Sequence, residues 1–400
     1  MKGSTAPFAV LAAAFLFNLG QGVLRPSLPL CLQHTFGASY RMVTVIPTLF
    51  GAAKWSARLP SAYLQERWGR TQVMAIGLLV IACSDVASVM TERYGVFLGW
   101  RTLAGLGWAL FGTVATTTIV DRPAGGRRGR AISALLISES LGLLVGSAAG
   151  GSLYQNVGLA SPFFFEAACM VVAATTIVWW ARAGVESSTT ATRAGRMWQV
   201  MGTVLRVPTV LLMSLVGAAL IAIQTGLLVF LYPLYLVERG QLAPQMVGHL
   251  VSLSVAGRLG GLWLGGRMSD RVDRMVVLAV GLVGYGAILA GVSAMTHPGL
   301  LALWSVLIGA GGGFVAGLPT AIVADRVGPP AQAIAIGCLL TAMDTGMLIG
   351  PLVMGELAHA IDLSAPFLFA GMLLGALAWW CGRHASFAPA PPPMRGADGP

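Results

Sequence analysis

Apolar residues run through this chain in long blocks, not in the three-and-four spacing of a surface helix. The blocks lie near 7–31, 40–63, 71–90, 95–120, 130–153 and 161–182, then near 208–237, 243–267, 275–296, 298–323, 331–359 and 364–382. A helix that is apolar on every face belongs in a core or a bilayer, and about 20 such residues cross the hydrocarbon layer. The pattern predicts an all-α membrane protein with twelve transmembrane helices in two six-helix bundles. Residues 1–182 form the first bundle, 183–207 a polar connector on the cytoplasmic side, 208–384 the second bundle, and 385–400 a Pro-rich tail expected to be disordered.

The second half repeats the first at an offset of 204. AYLQERWGR, ending at Arg70, returns as GRMSDRVDR, ending at Arg274, so Glu66 meets Asp270 and Arg67 meets Arg271. Pro29 meets Pro233, Trp100 meets Trp304, Asp121 meets Asp325, and Gly142, Gly146 and Gly151 meet Gly346, Gly350 and Gly355. An even number of spans per copy makes the copies parallel repeats, with a substrate site expected between them near the midplane.

Composition narrows the reading. Only 10% of the residues are charged, against about 25% in soluble domains. The formal charge of +10 sits in short clusters between the spans, which sets topology and does not mark a nucleic-acid surface. Arg41, Arg93 and Arg239 occupy one side, while Lys2, Arg67, Arg70, Arg267, Arg271, Arg326, Arg383 and others share the side of both termini. Both termini are therefore expected in the cytoplasm, with the chain multi-pass in the cell (inner) membrane. The cysteines (Cys31, Cys83, Cys169, Cys338, Cys381) are scattered, so no disulfide framework, metal site or cofactor is expected. There is no phosphate-binding G-x-x-x-x-G-K-[ST] run and no soluble portion large enough for an active site. The chain is not expected to be an enzyme.

Four motifs resemble those of the major facilitator superfamily of secondary transporters, most closely its twelve-span drug/proton antiporter branch. The turns ending at Arg70 and Arg274 resemble the G-x-L-x-D-R-x-G-R-R signature, with Ala62, Glu66 and Thr71 departing in the first copy and Asp273 in the second. Arg101, Gly105 and Gly107 resemble the span-four R-x-x-x-G-x-G. Gly142, Gly146, Gly150 and Gly151 resemble the span-five antiporter signature, with Ser147 in place of its proline; Gly346, Gly350 and Pro351 supply the counterpart in span eleven. The resemblance implies alternating access, a cavity lined by spans one, four, seven and ten, and contacts of span two with eleven and five with eight.

Charges within the spans supply the candidate chemistry, since a buried charge is expensive and faces a partner or a wet cavity. Lys54 and Arg258 are repeat partners, each about 13 Å from the terminal side, and Glu139 and Asp344 lie at comparable depth. Together with the implied helix contacts, this predicts interdomain pairs Lys54–Asp344 and Glu139–Arg258, with the acids coupling protons to motion; static bridges are the alternative. Arg25, Arg101, Asn18, Gln21, Gln224 and Tyr232 are the expected cavity residues. Arg25 either helps bind an anion, reaches outward, or pairs with Asp85. Glu166 is read as interfacial. Trp55, Trp108, Phe111 and Tyr235 build an apolar site or simply pack. Glu66, Arg67, Arg70, Asp270, Arg271 and Arg274 are expected to brace a cytoplasmic gate.

The resulting expectation is a monomeric, proton-coupled exporter of small drug-like or amphipathic metabolites, whose partners are its substrate, protons and the lipid bilayer. A proton-linked symporter of an organic anion and a lysolipid or amphiphile transporter are the alternatives.

Overall fold

A computed structural model describes residues 6–120, 128–181, 207–295, 297–327 and 329–385. The connector and the Pro-rich tail thus lie outside the described residues, apart from a residue at the edge of each. The described residues are almost wholly helical. They form α1 (Ala6–Phe36), α2 (Tyr40–Trp68), α3 (Arg70–Val89), α4 (Tyr94–Val120), α5 (Arg128–Asn156) and α6 (Ser161–Ala181). The second set is α7 (Pro208–Glu238), α8 (Pro244–Ser269), α9 (Arg274–Val292), α10 (Pro298–Arg326), α11 (Pro329–Ala360) and α12 (Ala365–Ala385).

Among the described residues, eleven helices are long and apolar enough to cross a membrane. The twelfth crossing, α2, falls short because Lys54 and Arg58 interrupt its middle. It packs along α4 and α11 like a full span, and Arg58 turns toward α11 in the other half. Several helices overrun the apolar blocks at their polar ends, α1 to Phe36 and α2 to Trp68.

Local chemistry sets the helix ends. Pro208, Pro244 and Pro298 open α7, α8 and α10 in the first turn, where no amide is needed. Ser39 caps α2 by accepting from the Met42 amide. The two copies of the charged turn solve one problem differently. Gly69 adopts φ +88° between α2 and α3, a conformation that favours glycine. Its repeat partner Asp273 instead caps α9, accepting from the amides of Met275 and Val276 at 2.9 and 3.2 Å. The departure from the glycine pattern is thus a change of capping device.

Helices α1, α3, α5 and α6 pack together with α4 and α2 in one half; α8 with α10, α9 with α12 and α7 with α11 in the other. The halves meet along α5–α8 and α2–α11. Glycines permit the close approaches. A Cβ at Gly146 would overlap α1 at Leu19 and Gly22, and Gly142 and Gly150 meet α1 at Phe15 and Val23. Gly151 turns the other way, onto Pro244 and Gly248 of α8. In the repeat, Gly346 and Gly350 meet α7 at Ala218 and Ala222, and Pro351 lies against Gly226. Small residues at such spacing let membrane helices approach at backbone distance.

Two helices of the second half are irregular. α7 changes to π-helical winding over Ile223–Leu231, and α10 breaks at Gly317. A π segment shifts the register of side chains facing a site, and here it carries Gln224 and Thr225 to the space between the halves. The GAGGG run at 309–313 is packing: Gly309 and Gly313 lie on the α8 backbone at Ser254 and Arg258.

Candidate functional site

Between the halves lies a cavity of about 350 Å³. Gln21 and Arg25 of α1, Lys54 of α2, Arg101 and Trp108 of α4, Gln224 of α7 and Asp344 of α11 face it, among apolar neighbours such as Phe50 and Met347. A smaller cavity of about 120 Å³ shares Arg25, Gln224 and Met343, and adds Arg258 and Tyr285. Three groups of charges surround this space.

The first group is fully enclosed. Arg101 Nη1 donates to Asp85 Oδ1 at 2.5 Å, with the two side chains 4% and 0% exposed. The Phe163 ring stands 5.8 Å from the guanidinium. Glu166 of α6 is also buried, and its Oε1 accepts from Gln21 Nε2. The Asp85 and Glu166 carboxyl groups lie within hydrogen-bond reach of each other. Their remaining oxygens, Asp85 Oδ2 and Glu166 Oε2, are buried without a protein donor. Two acids therefore face one arginine, with an acceptor on each side and no donor between. Glu166 is structural interior, not interface, and Asp85 takes Arg101 in preference to Arg25. Sequence reasoning passed over the pair because it gives depth along a helix but not direction around it.

The second group is cationic. Arg25 and Arg258 are electrostatic neighbours, both half-buried and both facing the smaller cavity. Glu139 is half-buried on α5, and the described residues show no ion pair between it and Arg258. The expected bridge is absent although α5 and α8 do pack together: Arg258 turns toward Tyr285 of α9 and Arg25.

The third group corrects the other expected bridge. Asp344 pairs with Arg58, one helical turn beyond Lys54. Lys54 instead places its ammonium 3.6 Å from the centre of the Trp108 ring. Arg58 has the reach and the planar donors for a carboxylate, while the compact ammonium gains from the indole face. Arg58 escaped notice because its repeat partner is uncharged Leu262.

The remaining candidates divide. Tyr232 is buried in the second half, its hydroxyl 2.7 Å from Ser305 Oγ and its ring against Phe367, so it does not face the cavity. The Asn18 amide bonds its own helix at Ala14 O, at 3.0 Å. Tyr235 and Phe111 are core, Trp55 is exposed, and Trp108 alone of those aromatics faces the cavity. At the end carrying the termini, Arg274 donates to Asp325 Oδ2 at 2.8 Å, while Arg67, Asp270 and Arg271 are exposed. Arg70 opens α3; its repeat-equivalent acid, Asp121, and the Glu66 side chain lie outside the described residues.

At the opposite end, polar contacts join the halves. Glu238 of α7 accepts from Gln33 Nε2 at 2.8 Å and from the Tyr40 hydroxyl. Arg41 and Glu356 form a two-pronged pair at 2.6 and 2.7 Å. The Gln245 backbone N–H donates to Gln155 Oε1 at 3.0 Å.

Known proteins share this architecture. The nucleoside transporter NupG superposes with a TM-score of 0.78 at 14% identity, covering 96% of this chain and 99% of that one. The peptide transporter POT in complex with sulfate gives 0.79 at 14%, covering 96% and 94%. A chloramphenicol resistance protein of Streptomyces lividans is 28% identical over 321 residues, 78% of this chain and 79% of its own length. The Major Facilitator Superfamily model matches residues 10–243 and 214–399. With two parallel helix sets around a charged central cavity, this multi-pass membrane chain belongs to the Major Facilitator Superfamily of transporters.

Proposed function

We propose that the protein is a proton-coupled secondary transporter that exports a small amphipathic cargo across the cell (inner) membrane by alternating access, acting as a monomer. The observation that carries the reading is the Asp85–Glu166 pair beside Arg101. A single proton between Asp85 Oδ2 and Glu166 Oε2 satisfies both orphan oxygens and balances two acids against one arginine. Without it, two carboxylates share a dry site, an expensive arrangement. Gln21 and Arg101 belong to this cluster and also face the cavity, so cargo entry and proton occupancy act on the same side chains. Cys169, also on α6, is an electrostatic neighbour of Glu166. The chloramphenicol resistance relative favours export.

The test uses purified protein in vesicles with an acid interior and an internal pH dye. Cargo candidates, chloramphenicol among them, are added outside. Exchange raises the internal pH as cargo enters; co-transport lowers it further. Glu166→Gln and Asp85→Asn are expected to abolish the proton signal while preserving cargo-for-cargo exchange without a gradient. A full proton signal in both variants would sink the assignment. Glu139→Gln serves as the comparison: a loss there alone moves coupling to α5. Anion co-transport is the second reading, favoured by Arg25 and Arg258, which form no ion pair among the described residues.

A further inference from the structure

We propose that Arg25 and Arg258 together form the docking point for the acidic head of an organic anion, a carboxylate, sulfonate or phosphate with an apolar body. The inference deepens the transporter reading and rests on it only in supposing that the central cavity takes cargo; it holds for either direction of transport. Four observations lead to it.

The charges in this space do not balance. Arg101 is matched by Asp85 and Arg58 by Asp344, while Lys54 rests on the Trp108 ring. Arg25 and Arg258 have no hydrogen-bonded or ionic partner among the described residues, and they are neighbours of like sign. Glu139, one turn along α5 from the cavity-lining Leu143, pairs with neither arginine among the described residues. Two guanidinium groups held together away from bulk water repel, and the usual compensation for such an arrangement is an anion. Guanidinium is also the side chain best shaped for planar, two-point contact with carboxylate or phosphate.

The position suits a ligand contact. Arg25 lies on α1 and Arg258 on α8, so the pair spans the two halves. Both face the 120 Å³ cavity, and Arg25 also faces the 350 Å³ cavity beside it. Gln224 faces both cavities from the π-helical stretch of α7, and offers a neutral donor for a remaining oxygen of the head. The larger cavity is lined largely by Leu24, Leu28, Ile46, Phe50 and Trp108. That gives an apolar body somewhere to lie while the head stays at the arginines. An anion bound by both arginines bridges the halves, so cargo occupancy and the approach of α1 to α8 are linked.

Binding is tested apart from transport. Detergent-purified protein is titrated calorimetrically with 1-naphthoate, naphthalene-1-sulfonate and naphthyl phosphate, and with the uncharged 1-naphthamide as the isostere. At least one anion is expected to bind tenfold or more tightly than the amide. Arg25→Gln and Arg258→Gln should each weaken that anion tenfold or more and leave the amide unchanged, with Arg→Lys variants intermediate. Each glutamine variant should also raise the melting temperature of the ligand-free protein, because a repulsion is removed; a purely structural arginine would lower it. The proposal fails if no anion binds, if the amide binds as well as the anions, or if the glutamine variants keep parental anion affinity. It also fails if chloride competes at equal concentration, which would make the pair a site for a resident inorganic ion. Vesicle flux separates the two readings. Anion binding without movement of any cargo overturns transport and leaves the site standing. Movement of neutral cargo without anion binding does the reverse.

Discussion

A guanidinium beside two buried acids is a point where one side chain carries a large energy. Removing one member of a buried ion pair costs about 3–5 kcal/mol because its partner is left uncompensated. Arg101→Gln leaves both Asp85 and Glu166 without a cation in a site with almost no solvent. The loss is expected to be largest at high pH, where both acids must be ionised or take up protons, and smaller at low pH, where both are neutral. The sign is that of any buried carboxyl deprived of its cation: the charged form is what suffers. Thermal unfolding of the detergent-solubilised variant at pH 5 and pH 8 checks it. A deficit relative to the parent that is equal at both pH values would show that Arg101 acts through packing alone. The same residue scale shows what sequence could and could not reveal. Gln21 and Arg101, expected to line the cavity, face it, and so do Lys54 and Asp344. The partners came out differently because depth follows from counting residues, whereas a bond depends on rotation about the helix and on side-chain reach. Arg58 takes Asp344 for that reason, and Tyr232 turns into its own bundle.

At the level of helices, the glycine spacing was legible because backbone approach needs small residues at fixed intervals, and the repeat displays the spacing twice. The structure gives that spacing a direction: Gly146 toward α1, Gly151 toward α8. Gly146→Val is expected to destabilise the protein by about 1–3 kcal/mol or more, since overpacking here meets backbone that cannot move aside. Gly99→Ala on α4 meets nothing within 4 Å, and should be neutral or stabilise by about 0.5–1 kcal/mol through helix propensity. Melting temperatures of the two variants, measured side by side, check the contrast; equal effects would mean that the α1–α5 contact is not tight. The π-helical winding of Ile223–Leu231 had no comparable signal. It arises where α7 packs against α11 at Gly226 and Pro351, a tertiary demand that no residue type announces. Asp273 is the opposite case, since a changed letter in a motif reads at once as a cap when its amide partners are seen.

On the scale of the whole molecule, a transporter must hold its closed end firmly enough to occlude and weakly enough to release. The end opposite the termini is built that way. Arg41 and Glu356 are 55% and 53% exposed, so solvent screens their attraction and the pair ties the halves only weakly. Glu238 adds two hydrogen bonds from the first half, each worth about 1.5–3 kcal/mol for a charged acceptor. The sum is a few kcal/mol, the range in which two conformations remain exchangeable. Glu356→Gln alone should therefore change the ratio of open to closed at this end by no more than about fivefold. Glu356→Gln with Glu238→Gln should change it further, read as the rate at which a membrane-impermeant thiol reagent labels a cysteine placed in the cavity. Locking the same end gives the stronger test. In a background with the five native cysteines replaced by serine, Arg41→Cys and Glu356→Cys place one thiol on each half. A short, reducible bis-thiol cross-linker should then stop transport, and reductant should restore it, because α2 and α11 can no longer separate at that end. Binding in the central cavity should persist in the cross-linked protein from the side of the termini. Continued transport through the cross-link would mean that this end does not open during the cycle, and that cargo leaves the cavity by another path.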